Sequence, residues 1–430
     1  MSCRAAALAT SSPAPSGAGR ITAGRRGDLR QRPPIGGGAS PAAAPAVPVR
    51  RSMDGDRQHG RRTGGPLCGA RRFRHAQIRP AERLCSPHGP GRPMSGRVLV
   101  TGTAGFIGFH LARLLLEEGF SVHGYDGFTP YYDPALKRQR HAILLDHPGF
   151  TATEALLEEK GRLIETAERF VPDVIVHLAA QAGVRHSLEA PRSYLESNVA
   201  GSFELLEAAR IVGVRHLLMA STSSVYGGNA TLPFRETDRT DWPLSIYAAS
   251  KKAAEDLAHC HAHLWNLPTT MLRFFTVYGP WGRPDLALYR FVEAILEDRP
   301  IDLYNHGNMR RDFTYVDDLV RAIRLLMDVV PRRPEDGRVP EWDSLSPVAP
   351  YRVVNIGSSR PVCLLAFVAA VEAALGRQAR RNPMPMQKGD APATWADASL
   401  LERLTGYRPD TPLDIGVARF VAWYRSWTGR

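Results

Sequence analysis

The stretch RVLVTGTAGFIG, residues 97–108, decides the fold of this chain. Five residues of strand type lead into glycines at positions 102, 105 and 108, and apolar residues then recur at helical spacing from Phe106. A glycine triplet between a strand and a helix is typical of sheets that bind a dinucleotide. Gly102 permits a tight turn, Gly105 the close approach of a diphosphate, and Gly108 close packing of the helix on the sheet.

The next strand, SVHGYD (121–126), strengthens this interpretation because it ends in an acid. Asp126 lies 24 positions after Gly102, where a carboxylate accepts both hydroxyls of the adenosine ribose. Its charge would repel a 2′-phosphate and Gly127 supplies no cation, so the sequence predicts NAD rather than NADP. The alternative is a structural glycine turn beside an ordinary turn aspartate, and the combined spacing disfavours it.

Strands and helices alternate along the rest of the chain. Further strands are predicted at 173–179, 215–221 and 269–275, and helices near 191–212 and 247–265. Strands joined by helices of this length predict an α/β fold with a Rossmann-like, doubly wound parallel sheet. We expect a smaller C-terminal α/β substrate domain to follow the sheet.

Positive charge is concentrated at the N-terminus. Residues 1–93 contain 17 Arg, no Lys and four acids, whereas the rest of the chain has a net charge of −1. The segment shows no helical or strand period, so it is predicted to be a disordered Arg-rich extension. The nearly neutral remainder does not suggest a nucleic-acid partner.

Three explanations of the extension remain open. It could be a targeting peptide, an RNA- or membrane-binding arm, or upstream sequence translated from a wrongly chosen start. The third is favoured because Met94 stands three residues before the ordered pattern begins at Arg97. The five cysteines show no metal-ligand spacing, and no apolar run approaches the roughly 18 residues of a membrane span. We therefore predict a cytoplasmic protein with no metal site and no membrane partner.

Tyr247 and Lys251 are four residues apart at the start of a predicted helix, so they share one face. Lysine is rare after residue 93, with five lysines against 33 arginines. An ammonium about 5 Å from a phenol contributes roughly 3 kcal/mol, or about 2 pK units, at an effective dielectric near 20. Such a phenol could serve as a base near neutral pH. A Tyr–Lys pair is more often a solvated helix face, and the preceding nucleotide-binding half favours the catalytic interpretation.

The segments GTAGFIG, HLAAQAGVR (177–185), STSSVYG (221–227), YAASK and RFFTVYGPWGRPD (273–285) resemble the extended short-chain dehydrogenase/reductase superfamily. Within it the sequence is similar to NAD-dependent nucleotide-sugar epimerases, above all to bacterial UDP-glucuronate 4-epimerases. The resemblance runs from about Arg97 to the C-terminus. It implies a homodimer formed through the helices near 191–212 and 247–265.

The resemblance implies a mechanism. Tyr247, its pKa lowered by Lys251, removes the proton from the sugar O4, Thr222 hydrogen-bonds O4, and a hydride passes from C4 to NAD. The 4-keto sugar then rotates and receives the hydride on its other face. Further expected contacts with the cofactor come from Phe106, Ile107, Leu178, Ala179 and Ala180, besides the glycines, Asp126, Tyr247 and Lys251. Leu156 stands where many relatives carry an adenine-binding Asp, so no adenine contact is predicted.

The resemblance also implies a binding site for a UDP-sugar. Its expected residues are Arg185, Ser223, Ser224, Thr276, Arg283, Arg311 and Asp390. Related dehydratases carry an Asp-Glu pair after the position of Thr222, and related decarboxylases carry Glu at the position of Ser224. Neutral serines suit a substrate that brings its own carboxylate. Alternatively, the two serines only end a strand by bonding the backbone.

The resemblance also implies the domain boundaries. Residues 94–274 are predicted to form the NAD-binding Rossmann domain, to which 316–330 and 352–357 return. Residues 275–315 and 358–430 are predicted to form the UDP-sugar-binding domain. Two other functions remain open: 4-epimerisation of a neutral UDP-hexose or UDP-hexosamine, and an NAD-binding regulator that lacks turnover.

Overall fold

The computed structural model describes residues 96–430, so the predicted Arg-rich extension lies outside the described residues. The strands are β1 (Arg97–Thr101), β2 (Ser121–Asp126), β3 (Phe150–Glu154), β4 (Val174–His177), β5 (His216–Thr222), β6 (Thr269–Phe274), β7 (Thr276–Tyr278), β8 (Ile301–Tyr304), β9 (Arg310–Tyr315), β10 (Tyr351–Ile356), β11 (Pro361–Cys363), β12 (Arg381–Met384) and β13 (Ala393–Thr394). The α-helices are α1 (Phe106–Glu117), α2 (Pro134–Leu145), α3 (Arg162–Phe170), α4 (His186–Glu189), α5 (Pro191–Tyr194), α6 (Gly201–Val212), α7 (Ile246–Trp265), α8 (Ala287–Leu296), α9 (Val316–Leu326), α10 (Leu364–Leu375), α11 (Ser399–Thr405) and α12 (Leu413–Thr428).

Seven parallel strands form the main sheet, in the order β10-β6-β5-β4-β1-β2-β3. Strands β4, β5 and β6 are buried along their whole length because helices cover both faces, which explains their apolar sequences. The strand order reverses between β1 and β4, the point at which such sheets open a crevice at their carboxyl ends. The predicted Rossmann-like, doubly wound parallel sheet is confirmed.

A smaller α/β part contains the remaining strands. Strand β9 pairs in parallel with β7 and β13 and antiparallel with β11, while β8 and β12 form a separate parallel pair. Its core packs helices α8, α10 and α12 against these strands, with Phe313 stacked on Phe367 at 4.2 Å between ring centroids. Between β9 and β11 the chain returns to the main sheet, where β10 pairs with β6.

The helix predicted near 191–212 is divided into α5, a π-helix over Leu195–Ala200, and α6. The π-helical segment carries Asn198, which is 1% exposed. The Asn198 amide accepts from the backbone N–H of Gln181 and donates to its carbonyl, and it donates to the hydroxyl of Ser250 on α7. The irregular turn therefore lets one side chain hold the loop after β4, and apolar periodicity alone does not reveal it.

Candidate active site

The glycine loop after β1 leaves no room for side chains. Gly102 has a φ of +80°, and a Cβ atom there would lie 2.7 Å from the backbone nitrogen of Ala179. A Cβ atom at Gly108 would lie 2.0 Å from the carbonyl oxygen of Gly102. Helix α1 begins at Phe106 with Gly105 as its N-cap, so its backbone N–H groups can meet an anion without an intervening side chain. Phe106 is buried and Ile107 is partly buried in the first turn.

Asp126 organises the loop around it as well as facing the crevice. One carboxylate oxygen accepts from the backbone N–H of Ala104 and the other from that of Phe128, both at 2.9 Å. Two hydrogen bonds of this kind fix the carboxylate at the end of β2, beside the glycine loop. Carboxylate oxygens have further lone pairs, so the predicted contact with ribose hydroxyls is compatible with this geometry.

The loop after β4 lies against the glycine loop. The Thr101 hydroxyl oxygen accepts from the backbone N–H groups of Leu178 and Ala179, both at 3.2 Å. Leu178, Ala179 and Ala180 are all partly exposed at the carboxyl end of the sheet. The glycine loop and residues 178–180 therefore lie side by side between β1 and β4, whereas Asp126 lies at the end of β2.

Helix α7 presents Tyr247 and Lys251 at the carboxyl end of β5. Ser245 caps the helix by accepting from the backbone N–H of Ala248 at 3.1 Å. Lys251 is 3% exposed and donates to the carbonyl oxygen of Ala220 at 2.9 Å. Burial lowers the pKa of Lys251 to about 8, although the charge of Glu255 opposes the shift.

The groups that shift the pKa of Tyr247 differ from the one predicted from the sequence. Burial raises the pKa of the Tyr247 phenol, and the groups that lower it are the hydrogen-bonded Thr222 hydroxyl and the charge of Arg283. Lys251 is not among the groups that shift this pKa, and its ammonium donates a hydrogen bond to the Ala220 carbonyl. The Thr222 hydrogen bond and the Arg283 charge therefore favour the phenolate against the effect of burial.

The four consecutive hydroxyl residues at the end of β5 and just after it separate into two groups. The Ser221 hydroxyl donates to the buried carboxylate of Glu255 at 2.5 Å, and the Thr222 oxygen accepts from the backbone N–H of Ser224 at 3.2 Å. Ser223 and Ser224 are partly exposed and line an open cleft. The first two hydroxyls stabilise the strand end, while the next two face the cleft.

That cleft is a concave space that opens to solvent, the kind of surface in which small molecules bind. It brings together five of the predicted substrate residues, namely Ser223, Ser224, Thr276, Arg311 and Asp390. Its remaining wall includes apolar residues such as Phe234 and Leu244. Polar groups from the turn after β5, from β7 and β9, and from the loop before β13 therefore converge on one space.

Arg185 reaches the same region from the loop after β4. Its guanidinium lies 3.4 Å from the Asp390 carboxylate and 4.3 Å from the centre of the Tyr304 ring. Burial lowers the pKa of Arg311, and the nearby Asp390 raises it while Arg185 lowers it. Arg185 contacts Asp390, and Arg311 is near enough to feel the charges of both, so two guanidiniums and one carboxylate leave a net positive charge in this region.

Arg283 lines a neighbouring pocket that shares Thr276 with the cleft. Asp285 binds its guanidinium through two contacts, of 2.9 and 2.6 Å. The Tyr131 hydroxyl donates to the same carboxylate at 3.1 Å. The Arg283 fork is therefore held in one orientation while its charge acts on Tyr247.

Sequence reasoning missed several residues of this region. Lys137 and Arg140 on α2 are buried behind the glycine loop, at 7% and 0% exposure. The Tyr194 hydroxyl donates to the carbonyl of Gly183, and its ring meets that of Tyr247 edge-on at 6.0 Å between centroids. The scarcity of lysine that singled out Lys251 could also have pointed to Lys137. No comparable signal marks the other two.

Within residues 96–430, no group of three His, Cys, Asp or Glu side chains could hold a metal ion. In that same range, no helix is long and apolar enough to cross a membrane.

A doubly wound sheet with a glycine loop at its switch point and a Tyr-x-x-x-Lys helix beside it defines a dinucleotide-dependent enzyme of the Rossmann class. The chain belongs to the NAD dependent epimerase/dehydratase family, whose pattern matches residues 98–339. It is 56% identical over 331 residues to a probable UDP-glucuronate 4-epimerase of Rhizobium meliloti, covering 76% of this chain and 96% of that one. It is 43% identical over 335 residues to UDP-glucuronate 4-epimerase 4 of Arabidopsis thaliana, covering 77% and 75%.

Solved structures agree with this assignment. A UDP-glucuronic acid 4-epimerase from Bacillus cereus, in complex with UDP-glucuronic acid and NAD, superposes with a TM-score of 0.68 at 30% identity. That match covers 77% of this chain and 99% of the other. A UDP-glucose 4-epimerase of Thermus thermophilus in complex with NAD gives a TM-score of 0.64 at 29% identity, with 76% and 99% covered. The predicted membership in the nucleotide-sugar epimerases is confirmed.

Proposed function

We propose that this protein catalyses the NAD-dependent 4-epimerisation of UDP-glucuronate to UDP-galacturonate through a transient 4-keto sugar. The observation that carries the proposal is the cleft in which Ser223, Ser224 and Thr276 present neutral hydroxyls. Ser245, the N-cap of the helix that carries Tyr247, also lines it. These hydroxyls can donate hydrogen bonds to a substrate carboxylate, whereas an acidic side chain would repel it. The names of the relatives support the same substrate.

The residues at the crevice fit NAD. The glycine loop has no room for a Cβ atom, and the N-terminus of α1 has no side-chain cap, which suits a diphosphate. The fixed carboxylate at the end of β2 suits a ribose. Gly102, Gly105 and Gly108 would hold the diphosphate side and Asp126 the adenosine ribose. When bound, NAD supplies a hydride acceptor and donor for C4 of the sugar. The Asp126 charge disfavours the 2′-phosphate of NADP.

The protein side of the reaction is a proton transfer at O4. Tyr247 removes the O4 proton, and Thr222 orients O4 through a hydrogen bond. The Thr222 hydrogen bond and the Arg283 charge favour the phenolate, and Lys251 adds a buried cation one helical turn away. The same phenol returns the proton after the sugar has turned. No net oxidation occurs, so one cofactor molecule serves repeated turnovers.

The substrate carboxylate needs its own contacts because C4 oxidation produces a β-keto acid. Such an acid loses CO₂ once the bond to its carboxylate aligns with the ketone π system. Ser223, Ser224 and Thr276, with Arg283 beside them, form a carboxylate clamp that keeps this bond out of alignment. Hydrogen bonds to an ionised group contribute roughly 1.5–3 kcal/mol each, enough for about 10- to 100-fold discrimination between orientations.

The chain contains two domains, one for each ligand. Residues 94–274, together with 316–330 and 352–357, form the NAD-binding domain, and residues 275–315 and 358–430 form the UDP-sugar-binding domain. Arg311, Asp390 and Arg185 converge at the far end of the cleft, where their net positive charge favours the UDP phosphates.

The active form is a homodimer in the cytoplasm. Exposed apolar side chains lie on α6 and α7, among them Phe203 and Ile211 at 45% exposure each, Leu264 at 64% and Trp265 at 47%. Adjacent helices with such side chains favour a helix–helix interface between two copies. Light scattering coupled to gel filtration would show about twice the chain mass. A monomer at micromolar concentration would contradict this part of the proposal.

The test of the function is incubation with UDP-glucuronate and NAD, with NMR identification of the product. UDP-glucose and UDP-N-acetylglucosamine are run in parallel. UDP-galacturonate should form and the neutral sugars should turn over at least tenfold more slowly. Faster turnover of a neutral UDP-sugar would show that UDP-glucuronate is not the substrate. NAD binding without turnover of any sugar would indicate a regulator.

A further inference from the structure

Arg140 on α2 is the largest fully buried side chain among residues 96–430. Its Nη1 donates to the carbonyl oxygen of Ala104 in the glycine loop and to the Tyr132 hydroxyl, both at 2.9 Å. Its Nη2 donates to the carbonyl oxygens of Trp281 and Gly282, at 2.5 and 3.5 Å. One guanidinium therefore joins the cofactor loop to the loop that leads into Arg283.

This charge has no acidic partner in contact. Every acceptor that Arg140 meets among residues 96–430 is an uncharged carbonyl or phenol oxygen, and its Nε is buried with no acceptor. Burial lowers the pKa of Arg140 and Tyr132 raises it, while the Arg283 charge lowers it and the Asp126 charge raises it. Lys137, also buried, adds a second cation on the same helix, where it donates to the Thr129 carbonyl.

A buried ion without a counter-charge is unfavourable, so proteins keep such groups where a partner or a function compensates. Arg352 shows the ordinary solution: it is buried, and Asp343 binds it through two contacts of 2.9 Å. Arg140 lacks this compensation and stands directly behind the loop where a diphosphate would bind. The missing counter-charge therefore points to an anionic ligand.

We propose that Arg140 is a positioning residue whose counter-charge is the diphosphate of the bound dinucleotide, and that it couples cofactor binding to UDP-sugar binding. The inference rests on the proposed function for the identity of the two ligands. Its guanidinium stabilises the diphosphate anion from behind the glycine loop. The same guanidinium also holds the carbonyls of residues 281–282. Ordering the glycine loop by NAD therefore also orders the loop that leads into Arg283.

The experiment measures NAD affinity by calorimetry, with and without saturating UDP, for wild type and three variants. Arg140→Met removes the charge, Arg140→Lys keeps the charge but cannot reach both loops, and Arg352→Met removes a buried arginine that has an acidic partner. UDP should strengthen NAD binding to wild type several-fold. Arg140→Met should bind NAD at least 10-fold more weakly. Arg140→Lys should stay within about 3-fold of wild type for NAD alone but lose the strengthening by UDP.

Arg352→Met should lower the melting temperature and leave the NAD dissociation constant unchanged, which separates a structural effect from the proposed one. A folded Arg140→Met that binds NAD as tightly as wild type would overturn the inference. If Arg140→Met does not fold, Arg140→Lys decides: unchanged strengthening by UDP, with an unchanged KM for UDP-glucuronate, would also overturn it. A wild-type protein that binds neither ligand would overturn the proposed function along with this inference.

Discussion

The ammonium of Lys251 donates a hydrogen bond to the carbonyl oxygen of Ala220, 2.9 Å away near the end of β5. This contact ties α7 to the strand that carries Thr222, so it sets the position of Tyr247 relative to Thr222. Since burial lowers the pKa of Lys251 only to about 8, the side chain is mostly protonated at neutral pH. Lys251 therefore positions Tyr247 and also keeps a buried positive charge one helical turn from the phenol.

Tyr247→Phe removes the phenolic oxygen and keeps the ring that packs edge-on against Tyr194. We expect turnover of UDP-glucuronate to fall by about 10² or more, because the general base is lost. NAD binding measured by calorimetry should remain within a few-fold of wild type. Turnover close to the wild-type rate would show that another group removes the proton.

Lys251→Met removes the buried cation and its hydrogen bond to Ala220. We expect turnover to fall strongly and NAD to be retained less well through gel filtration. Lys252→Met serves as the control, because Lys252 is partly exposed and pairs with Asp256 at 2.6 Å on the solvent side. Equal losses in the two variants would contradict a specific role for Lys251.

Much of the cofactor site could be predicted because its constraints are local. A strand, three glycines and the start of a helix lie within twelve residues, and Asp126 ends the next strand. The backbone atoms around these positions lie too close for a Cβ atom, so only glycine fits there. The need for close backbone packing is therefore visible in the sequence.

The missed residues depend on contacts between distant segments. Arg140 meets the carbonyls of Ala104 and Trp281, which are 36 and 141 positions away. Asn198 reaches Gln181 only because the helix widens to a π-turn, and helical periodicity does not encode such a turn. The pKa of Tyr247 depends on Arg283, which a nearest-neighbour argument from Lys251 could not include.

Glu236 should make stability depend on pH. Burial raises the pKa of Glu236 from 4.5 to about 7, and its carboxylate accepts from the backbone N–H of Asn355 at 2.9 Å. The folded state therefore holds more protons than the unfolded state between pH 4.5 and 7. The stabilising contribution is complete below pH 4.5 and is lost as the pH rises through 7.

Glu236→Gln keeps a carbonyl oxygen for Asn355 and cannot ionise. We expect it to raise the melting temperature relative to wild type at pH 8, with little difference at pH 4.5. Glu165→Gln, at an exposed site on α3, should show no such pH-dependent gain. A melting temperature at pH 8 below that of wild type would mean that the ionised carboxylate is stabilising.

A chain that begins at Met94 should keep full function, because every side chain assigned to the two sites lies between Gly102 and Asp390. Strand β1 begins at Arg97, so the shortened chain retains the complete main sheet. We expect the melting temperature, NAD affinity and turnover to match those of the full chain. A drop of several degrees or a loss of turnover would show that residues 1–93 contribute to the fold or to the site.

Ser224→Glu tests the carboxylate clamp. A negative charge beside the substrate carboxylate should raise the KM for UDP-glucuronate, slow epimerisation, and let the 4-keto acid lose CO₂. The product is then a UDP-4-keto-pentose, and the hydride taken from C4 stays behind as NADH, visible by its absorbance. Ser224→Ala should release less of this product but still a detectable amount, because one hydrogen bond to the carboxylate is lost. Ser193→Ala, whose hydroxyl donates to the Ala190 carbonyl outside the cleft, should release none. If both Ser224 variants epimerise UDP-glucuronate at the wild-type rate without a pentose product, Ser224 only ends the strand and another group restrains the carboxylate.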